Sequence, residues 1–426
     1  MVGLTNKPNV VLSYIILAYS VQGLAEHFCL PAQPLDNYFL KVHQWDAAQV
    51  AAYLAVLMIP WTIKPLFGVV TDLVVPASKR VYLTISFAVA ACGYLAALAF
   101  PSQMLAGLLI SGCGLSWGTA LLFGLAVETF DSLVLKKALS VQAVAYYSTC
   151  AGAGVLGGLL CHEFSPVSTL QWAFLIAAIS CMLAAVVSAT LLREASEAPF
   201  KAASRRRPPS FAALKDAVCN RDFVLVAFFI WLWNFSPGFG TPLYFHYTNT
   251  LHFTQAEIGR FNGTNAAGML MGAMLYPLIS RWSAGREVYA AIALAVTSTL
   301  SYCLLGTAFS AFALEFFRGI ASILGILAMY CLVAKVCRPG LETLITCLLI
   351  AIYNFASQMS GVLGGYLYSH AFHNRLWPLL LVSAAMTGGC AFLVRLLPRD
   401  TAENERSFSR AAPNTLDLAN RAIQRE

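Results

Sequence analysis

Charge is scarce in this chain. Only 11% of its 426 residues are Asp, Glu, Lys or Arg, against roughly a quarter in soluble domains. That leaves no room for a solvated catalytic domain of ordinary size. Alternating apolar and polar segments of the kind that build membrane barrels are absent, so any membrane-crossing segments must be helices. There is no G-x-x-x-x-G-K-[ST] loop to cradle a nucleoside triphosphate. H-E-x-x-H is missing as well, and the G-x-S-x-G match at 114–118 ("GLSWG") lies inside an apolar run and not at a strand-to-helix turn, which argues against a membrane enzyme with a metal or a serine nucleophile. The twelve cysteines form no C-x-x-C and no cysteine–histidine cluster. Most sit in apolar runs, as Cys92, Cys113, Cys181 and Cys303 do, and read as small packing residues. No catalytic residue, cofactor, metal or nucleic-acid partner is expected.

Hydrophobic sequence is what the chain has in excess, at 59% of its residues with a mean hydropathy of +0.69. A helix needs about 20 apolar residues to cross a bilayer. Twelve such runs stand near 10–30, 47–70, 81–100, 104–128, 138–161, 170–192, 223–246, 255–280, 287–308, 311–335, 342–368 and 376–397. The first is longer than a signal-peptide core and follows the short polar stretch "MVGLTNKPN", so it is expected to be a retained span. Glycine-rich pieces such as "AGAGVLGGLL" (151–160) and "SGVLGGYL" (360–367) allow helices to approach closely in lipid.

Charge orients the spans. Loops 71–80, 129–137, 193–222, 281–286 and 336–341, the span ends beside them and both termini hold 22 of the 27 Lys and Arg residues. The opposite loops hold two, Lys41 and Arg375; Lys64, Arg260 and Arg318 lie in or at the ends of spans. This asymmetry predicts cytoplasmic termini for a multi-pass protein of the cell (inner or plasma) membrane. The basic, proline-containing segment 193–222 predicts a cytoplasmic linker. It would divide a six-helix unit (1–192) from a second one (223–397), with a cytoplasmic tail at 398–426. The halves look alike. "YFLKVHQWDAAQV" (38–50) and "YFHYTNTLHFTQAEI" (244–258) each end a span in Tyr-Phe and open the next helix with a capping-box pattern, Asp46 with Gln49 and Thr254 with Glu257. Two such repeats suit a fold with a central path.

"PWTIKPLFGVVTD" (60–72) brackets Lys64 with two prolines and closes on Asp72, with Lys79 and Arg80 following. Gly68 permits a close helix crossing, Asp72 can meet the positive end of another helix, and the basic pair can bond carboxylates or helix C-termini. The arrangement resembles the loop signature of the major facilitator superfamily, where it implies a cytoplasmic latch; a plain helix end with topology-setting charges is the simpler reading. The proline-flanked lysine also resembles the second-span motif of the folate–biopterin transporter family. "LPAQPLDNYFLK" (30–41), "PLYFHYTNTLHFTQAEIG" (242–259) and "RPGLETLITCLLIAIYNFASQMSGVLGGYL" (338–367) resemble three further stretches of that family. The likeness covers roughly 10–395. It departs in span four, where "GTALLFGLAVE" keeps Glu128 alone of the expected acidic residues.

A charge at mid-bilayer costs roughly 2.5–3.5 kcal/mol on insertion scales, so intramembrane polar groups are candidates for function. The resemblance implies a cavity lined by spans 1, 4, 7 and 10. Gln22 and Glu26 share a face of span 1; Glu26 reads as a substrate or proton group, or as an outer-interface charge. His27 beside it reads as a packing histidine. Glu128 is expected level with Lys64, as a gating or structural ion pair. Trp117 is a candidate ring-stacking residue or core. Span 7, with Trp233, Asn234 and "SPGFG", reads as a broken, substrate-facing helix or a packed kink. In span 10, Glu315 and Arg318 at i and i+3 can pair, and Arg318 is the candidate anchor for an anionic substrate. The substrate-binding set is thus Gln22, Glu26, Trp117, Trp233, Asn234 and Arg318; the coupling or gating set is Glu26, Lys64, Asp72, Glu128 and Glu315.

The expectation is an all-α membrane protein with twelve transmembrane helices in two pseudo-symmetric bundles. Its expected role is secondary transport of a mid-sized organic solute by alternating access, as a monomer in the lipid bilayer, with protons as candidate coupling ions. A folate- or pterin-like anion is what the resemblance implies as substrate. The alternative is a non-transporting membrane receptor or assembly factor built on the same fold.

Overall fold

The computed structural model describes residues 8–69, 79–130, 132–192, 215–216, 218–279, 284–336 and 342–398. Asp72, most of the 193–222 linker and nearly all of the 398–426 tail lie outside the described residues, as do the side chains of Lys79 and Glu128. The described residues contain helices and no strand.

The first half runs α1 (Pro8–Ala25), α2 (Ala32–Lys41), α3 (Ala47–Leu57), α4 (Ile59–Thr62), α5 (Lys64–Val69), α6 (Lys79–Ala99), α7 (Met104–Thr129), α8 (Ser132–Glu163) and α9 (Pro166–Leu191). The second runs α10 (Arg221–Asn234), α11 (Gly240–Phe245), α12 (Gln255–Ile279), α13 (Ala284–Ser301), α14 (Ala308–Val336), α15 (Glu342–Tyr366), α16 (Leu376–Gly389) and α17 (Ala391–Val394). Eight segments among the described residues are long and apolar enough to cross a membrane, and they fall on the predicted spans 3–6 and 9–12. The other four predicted runs are helical too but depart from that pattern. Three are interrupted, and α12 carries Gln255, Glu257, Arg260, Asn262 and Asn265 along a continuous helix.

The interruptions follow from local sequence. The first run does not stop near residue 30. It breaks over 26–31 and resumes as α2 to Lys41, so Glu26 sits at an internal break and not near an outer end. Pro31 disfavours helix in the residue before it, and Pro34 is tolerated in the first turn of α2, where its missing N–H has no intrahelical partner to lose. The carbonyls left over at the end of α1 find other donors: Leu30 N–H gives to Leu24 O at 3.2 Å, and the Tyr94 hydroxyl gives to Ala25 O. In the second run the prolines of "PWTIKP" divide the helix at Met58 and Ile63. The seventh breaks over 235–239, at "FSPGF". There Gly238 N–H donates to Ser360 O at 2.9 Å, and Ser236 Oγ lies 2.9 Å from Ser383 Oγ. Both predicted capping boxes form: Gln49 N–H gives to Asp46 at 2.8 Å, and Thr254 N–H gives to Glu257 at 2.8 Å.

Within the first half α6 lies along α7 and α9, and α1 against α8 and α9; within the second α12 lies along α14, and α13 against α14 and α16. Two seams join the halves. One is α8 along α12, and the other is α3–α5 against α15. Outward faces stay apolar: Ile179, Leu183 and Val186 of α9 are 60%, 51% and 52% exposed. That is the surface a helix shows to hydrocarbon, not to water. Arg80 donates to the carbonyl of Ala189 near the end of α9, one of the contacts expected for the basic pair.

The broken seventh segment depends on one glycine opposite it. A Cβ on Gly364 would stand 1.7 Å from the Gly238 carbonyl oxygen. Backbone cannot yield as a flexible side chain does, so Gly364→Ala is expected to cost about 1–3 kcal/mol through overpacking. A thermal melt of the detergent-purified variant checks this; a midpoint equal to wild type would show that the seam is loose.

Candidate functional site

A cavity of about 670 Å³ lies between the halves. It is walled by all three interrupted runs: by His27, Cys29 and Asp36 from the first, by Met58 from the second, and by Gly238, Tyr244 and Tyr247 from the seventh. Helix breaks border it because a broken helix leaves polar backbone groups that need water, ligand or protein partners.

The charged centre of the second half is on α14. Arg318 Nη2 is 2.8 Å from Glu315 Oε2, with the Glu315 side chain 1% exposed and the Arg318 side chain 25% exposed. Tyr247 Oη donates to Glu315 Oε1 at 3.0 Å, and Asn265 Nδ2 donates to the Glu315 carbonyl at 3.1 Å. The Arg318 guanidinium lies 5.9 Å from the centroids of both Phe239 and Tyr302. Two aromatic faces and one carboxylate therefore hold the planar fork. Glu315 takes one of its nitrogens, and both residues line the cavity. A fork so placed can receive an anion from the cavity.

Across the cavity, Tyr146 of α8 lines the wall and donates its hydroxyl to Glu26. Glu26 is 9% exposed and sits one layer behind the wall, at the C-terminal end of α1, where the helix dipole disfavours a negative charge. Lys64 is within electrostatic reach of it. The lysine expected to answer Glu128 thus has Glu26 as a neighbour. Gln22, one turn earlier, donates to Thr119 Oγ1 of α7 at 2.8 Å. His27 is fully buried, with Nε2 3.0 Å from Ser111 Oγ. The Ser111 hydroxyl is already given to Leu108 O at 2.8 Å, so Nε2 carries the histidine proton.

Other expected residues sit elsewhere. Trp117 packs with Tyr82 and Phe67, at ring-centroid distances of 5.5 and 6.2 Å. Trp233 packs edge-on against Phe229 at 5.5 Å. Asn234 turns back to its own helix, donating to Ile230 O at 2.7 Å and to Met329 Sδ at 3.4 Å. Gln22, Glu26, Trp117, Trp233 and Asn234 are not in the cavity lining, whereas Arg318 and Glu315 are. Asn262, Asn265 and Asn354 all bond between helices, with Gln33 Oε1, Glu315 O and Trp61 O respectively.

Sequence reasoning missed Tyr146, Tyr247 and Gln358. Gln358 donates to Met58 O at 3.1 Å and to Thr62 Oγ1 at 2.7 Å, so it holds the break in the second run. Tyrosines in apolar runs carry no charge signal. A glutamine three residues from a glycine-rich stretch was the one cue available.

One end of the cavity is closed. A Cβ on Gly158 of α8 would lie 2.5 Å from Gly259 Cα of α12, and the reverse distance is also 2.5 Å. Nearby, Gln33 Nε2 donates to Gln255 O at 2.7 Å. On the second seam a Gly365 Cβ would be 2.7 Å from Ala47 O. Farther along the helices Tyr330 is within electrostatic reach of Tyr19, Tyr147 and Tyr353 from three other helices. Tyr330 itself remains 50% exposed, whereas the Gly158–Gly259 crossing leaves no room for a side chain.

The sequence profile of the Major Facilitator Superfamily matches residues 11–341. A folate-biopterin transporter from Synechocystis sp. is 25% identical over 390 residues, covering 85% of this chain and 76% of that protein. Among solved structures, the nucleoside transporter NupG superposes with a TM-score of 0.69 at 15% identity, covering 91% of this chain and 98% of that one. The POT family transporter PepTSo gives 0.73 at 12% identity, covering 92% and 98%. A D-xylose-proton symporter gives 0.66 at 13%, covering 92% and 97%.

Proposed function

Because the chain belongs to the major facilitator superfamily, we propose that it is a secondary transporter of twelve spans in two six-helix bundles, with the linker, tail and both termini in the cytoplasm. The bundles, residues 1–192 and 223–397, rock about the central cavity in alternating access. The observation that carries this reading is the cavity itself: about 670 Å³, walled from both halves, with a half-neutralised guanidinium reaching into it. Its closed end is the end remote from the basic loops, so the conformation is inward-facing.

The substrate is a mid-sized organic anion. A pterin or folate fits the Arg318 fork between its two rings, and the relationship to the folate-biopterin transporter supports that choice. Glu26 carries the coupling proton. It is a buried carboxylate at an unfavourable helix end, with a tyrosine hydroxyl and a lysine ammonium in place to accommodate its change of charge.

Reconstituted protein tests this. Proteoliposomes are expected to take up labelled folate or pterin above empty vesicles, faster with an inward proton gradient. Glu26→Gln is expected to abolish the stimulation by the gradient while binding, measured by ligand-induced thermal stabilisation, persists. No uptake of any pterin, folate, nucleoside or sugar, together with a stable complex with another membrane protein, would favour the receptor reading.

A further inference from the structure

Cys29 and Cys150 stand 121 residues apart in the chain, but their Sγ atoms are 3.3 Å apart. Cys29 lies in the break between α1 and α2, and Cys150 is on α8. Both are free thiols, and both line the cavity. Cys29 is 8% exposed, and Cys150 is the more open of the two. Cys29 Sγ is also 4.0 Å from Tyr146 Oη, whose hydroxyl is given to Glu26. Packing alone accounts for a buried cysteine. It does not account for two thiols brought to contact from separate elements on the wall of a wet cavity. No group of three metal-ligating residues occurs among the described residues, so the pair stands as a dithiol.

We propose that Cys29 and Cys150 form a modification site, a dithiol that hydroperoxides oxidise reversibly to a disulfide. The Cys150 thiolate attacks one peroxide oxygen. The O–O bond breaks, and the first water, or an alcohol from an organic peroxide, leaves with the proton released by the thiol. Cys150 is then a sulfenic acid. Cys29 sulfur attacks that sulfur, the S–S bond forms, and the hydroxyl leaves as water with the Cys29 proton. Two thiols lose two electrons, and the peroxide gains them. The sulfurs need to close from 3.3 Å to about 2.05 Å, a movement within reach of a broken helix. The bond ties the span 1 break to α8 beside the Tyr146–Glu26 contact. The transporter is thereby held in one conformation until a thiol reductant releases it.

The test uses the full chain in detergent. It is treated with hydrogen peroxide, blocked with N-ethylmaleimide, digested without reductant and read by mass spectrometry. A peptide linking Cys29 to Cys150, two hydrogens lighter than the sum of its parts, is expected to become the main form of both cysteines and to vanish with dithiothreitol. In Cys29→Ser or Cys150→Ser the remaining thiol is expected to proceed to sulfinic acid instead. Recovery of both residues as maleimide adducts while the exposed Cys92, Cys219 and Cys303 oxidise would overturn the proposal, as would sulfinic acids without linkage in the parent protein. Linkage needs no substrate, so its failure is distinct from a failure of the transport reading, on which only the conformational lock rests. In proteoliposomes, uptake is expected to stop on oxidation and return on reduction; unchanged uptake with complete linkage would overturn the lock.

Discussion

Arg318→Ala is expected to abolish uptake and to lower the melting midpoint sharply. Two effects add. The Glu315 side chain is 1% exposed and has Arg318 as its ion-pair partner at 2.8 Å. Removing one member of a buried pair leaves an uncompensated charge and costs about 3–5 kcal/mol. The anion also loses its hydrogen bonds to a charged donor, each worth about 1.5–3 kcal/mol, or roughly 10- to 150-fold in affinity. Arg318→Lys keeps the charge and loses the planar fork and its fit between Phe239 and Tyr302; weaker binding with a near-native melt is expected. Glu315→Gln/Arg318→Gln separates the two roles. With both charges gone, the pair can hydrogen-bond and Tyr247 keeps an acceptor, so stability is expected to return towards wild type while uptake stays lost. If the double variant transports normally, Arg318 is a structural partner and the anion sits elsewhere.

Gly158→Leu is expected to stop transport by a different route. The Gly158 and Gly259 backbones meet so closely that even one carbon would lie 2.5 Å from the opposing Cα. A leucine must push α8 and α12 apart at the closed end of the cavity. Overpacking costs about 1–3 kcal/mol, and every 1.4 kcal/mol shifts a two-state equilibrium about tenfold. On the proposed alternating-access reading an outward-facing state relaxes this contact, so the population is expected to move outward. A cysteine at position 262, on the cavity wall, then reports the change. In Asn262→Cys/Gly158→Leu, membrane-impermeant maleimide added outside is expected to label it faster than in Asn262→Cys alone. Equal labelling with normal uptake would show that this crossing is not the seal.

The residues that misled and those that did not differ in kind. The Glu315–Arg318 pair and the break after Trp233 were legible because each is local: two residues at i and i+3 must meet on a helix, and "SPGFG" cannot continue one. The capping boxes at Asp46 and Thr254 were legible for the same reason. Lys64 was legible only in part: the Glu128 side chain expected to meet it lies outside the described residues, and its neighbour Glu26 could not be read from depth along a span, because depth does not give rotation about the helix axis. Trp117 and Asn234 show the same limit: Trp117 packs with Tyr82 and Phe67, as its core alternative expected, and Asn234 bonds to Ile230 and Met329 of its own half. Cys29 with Cys150, and Tyr146 with Glu26, are pairs separated by more than a hundred residues and visible only when α8 is laid beside α1.

The sequence by itself determined the medium, the element type and the local breaks. A chain this apolar must satisfy its backbone hydrogen bonds within each segment, so helices were forced, and prolines and glycines marked where they fail. Only the tertiary structure decided which polar groups reach the cavity and which end of it is shut. Those depend on helix rotation and on close backbone crossings. In lipid no difference in hydrophobicity drives either one; packing and partner-finding among distant side chains do.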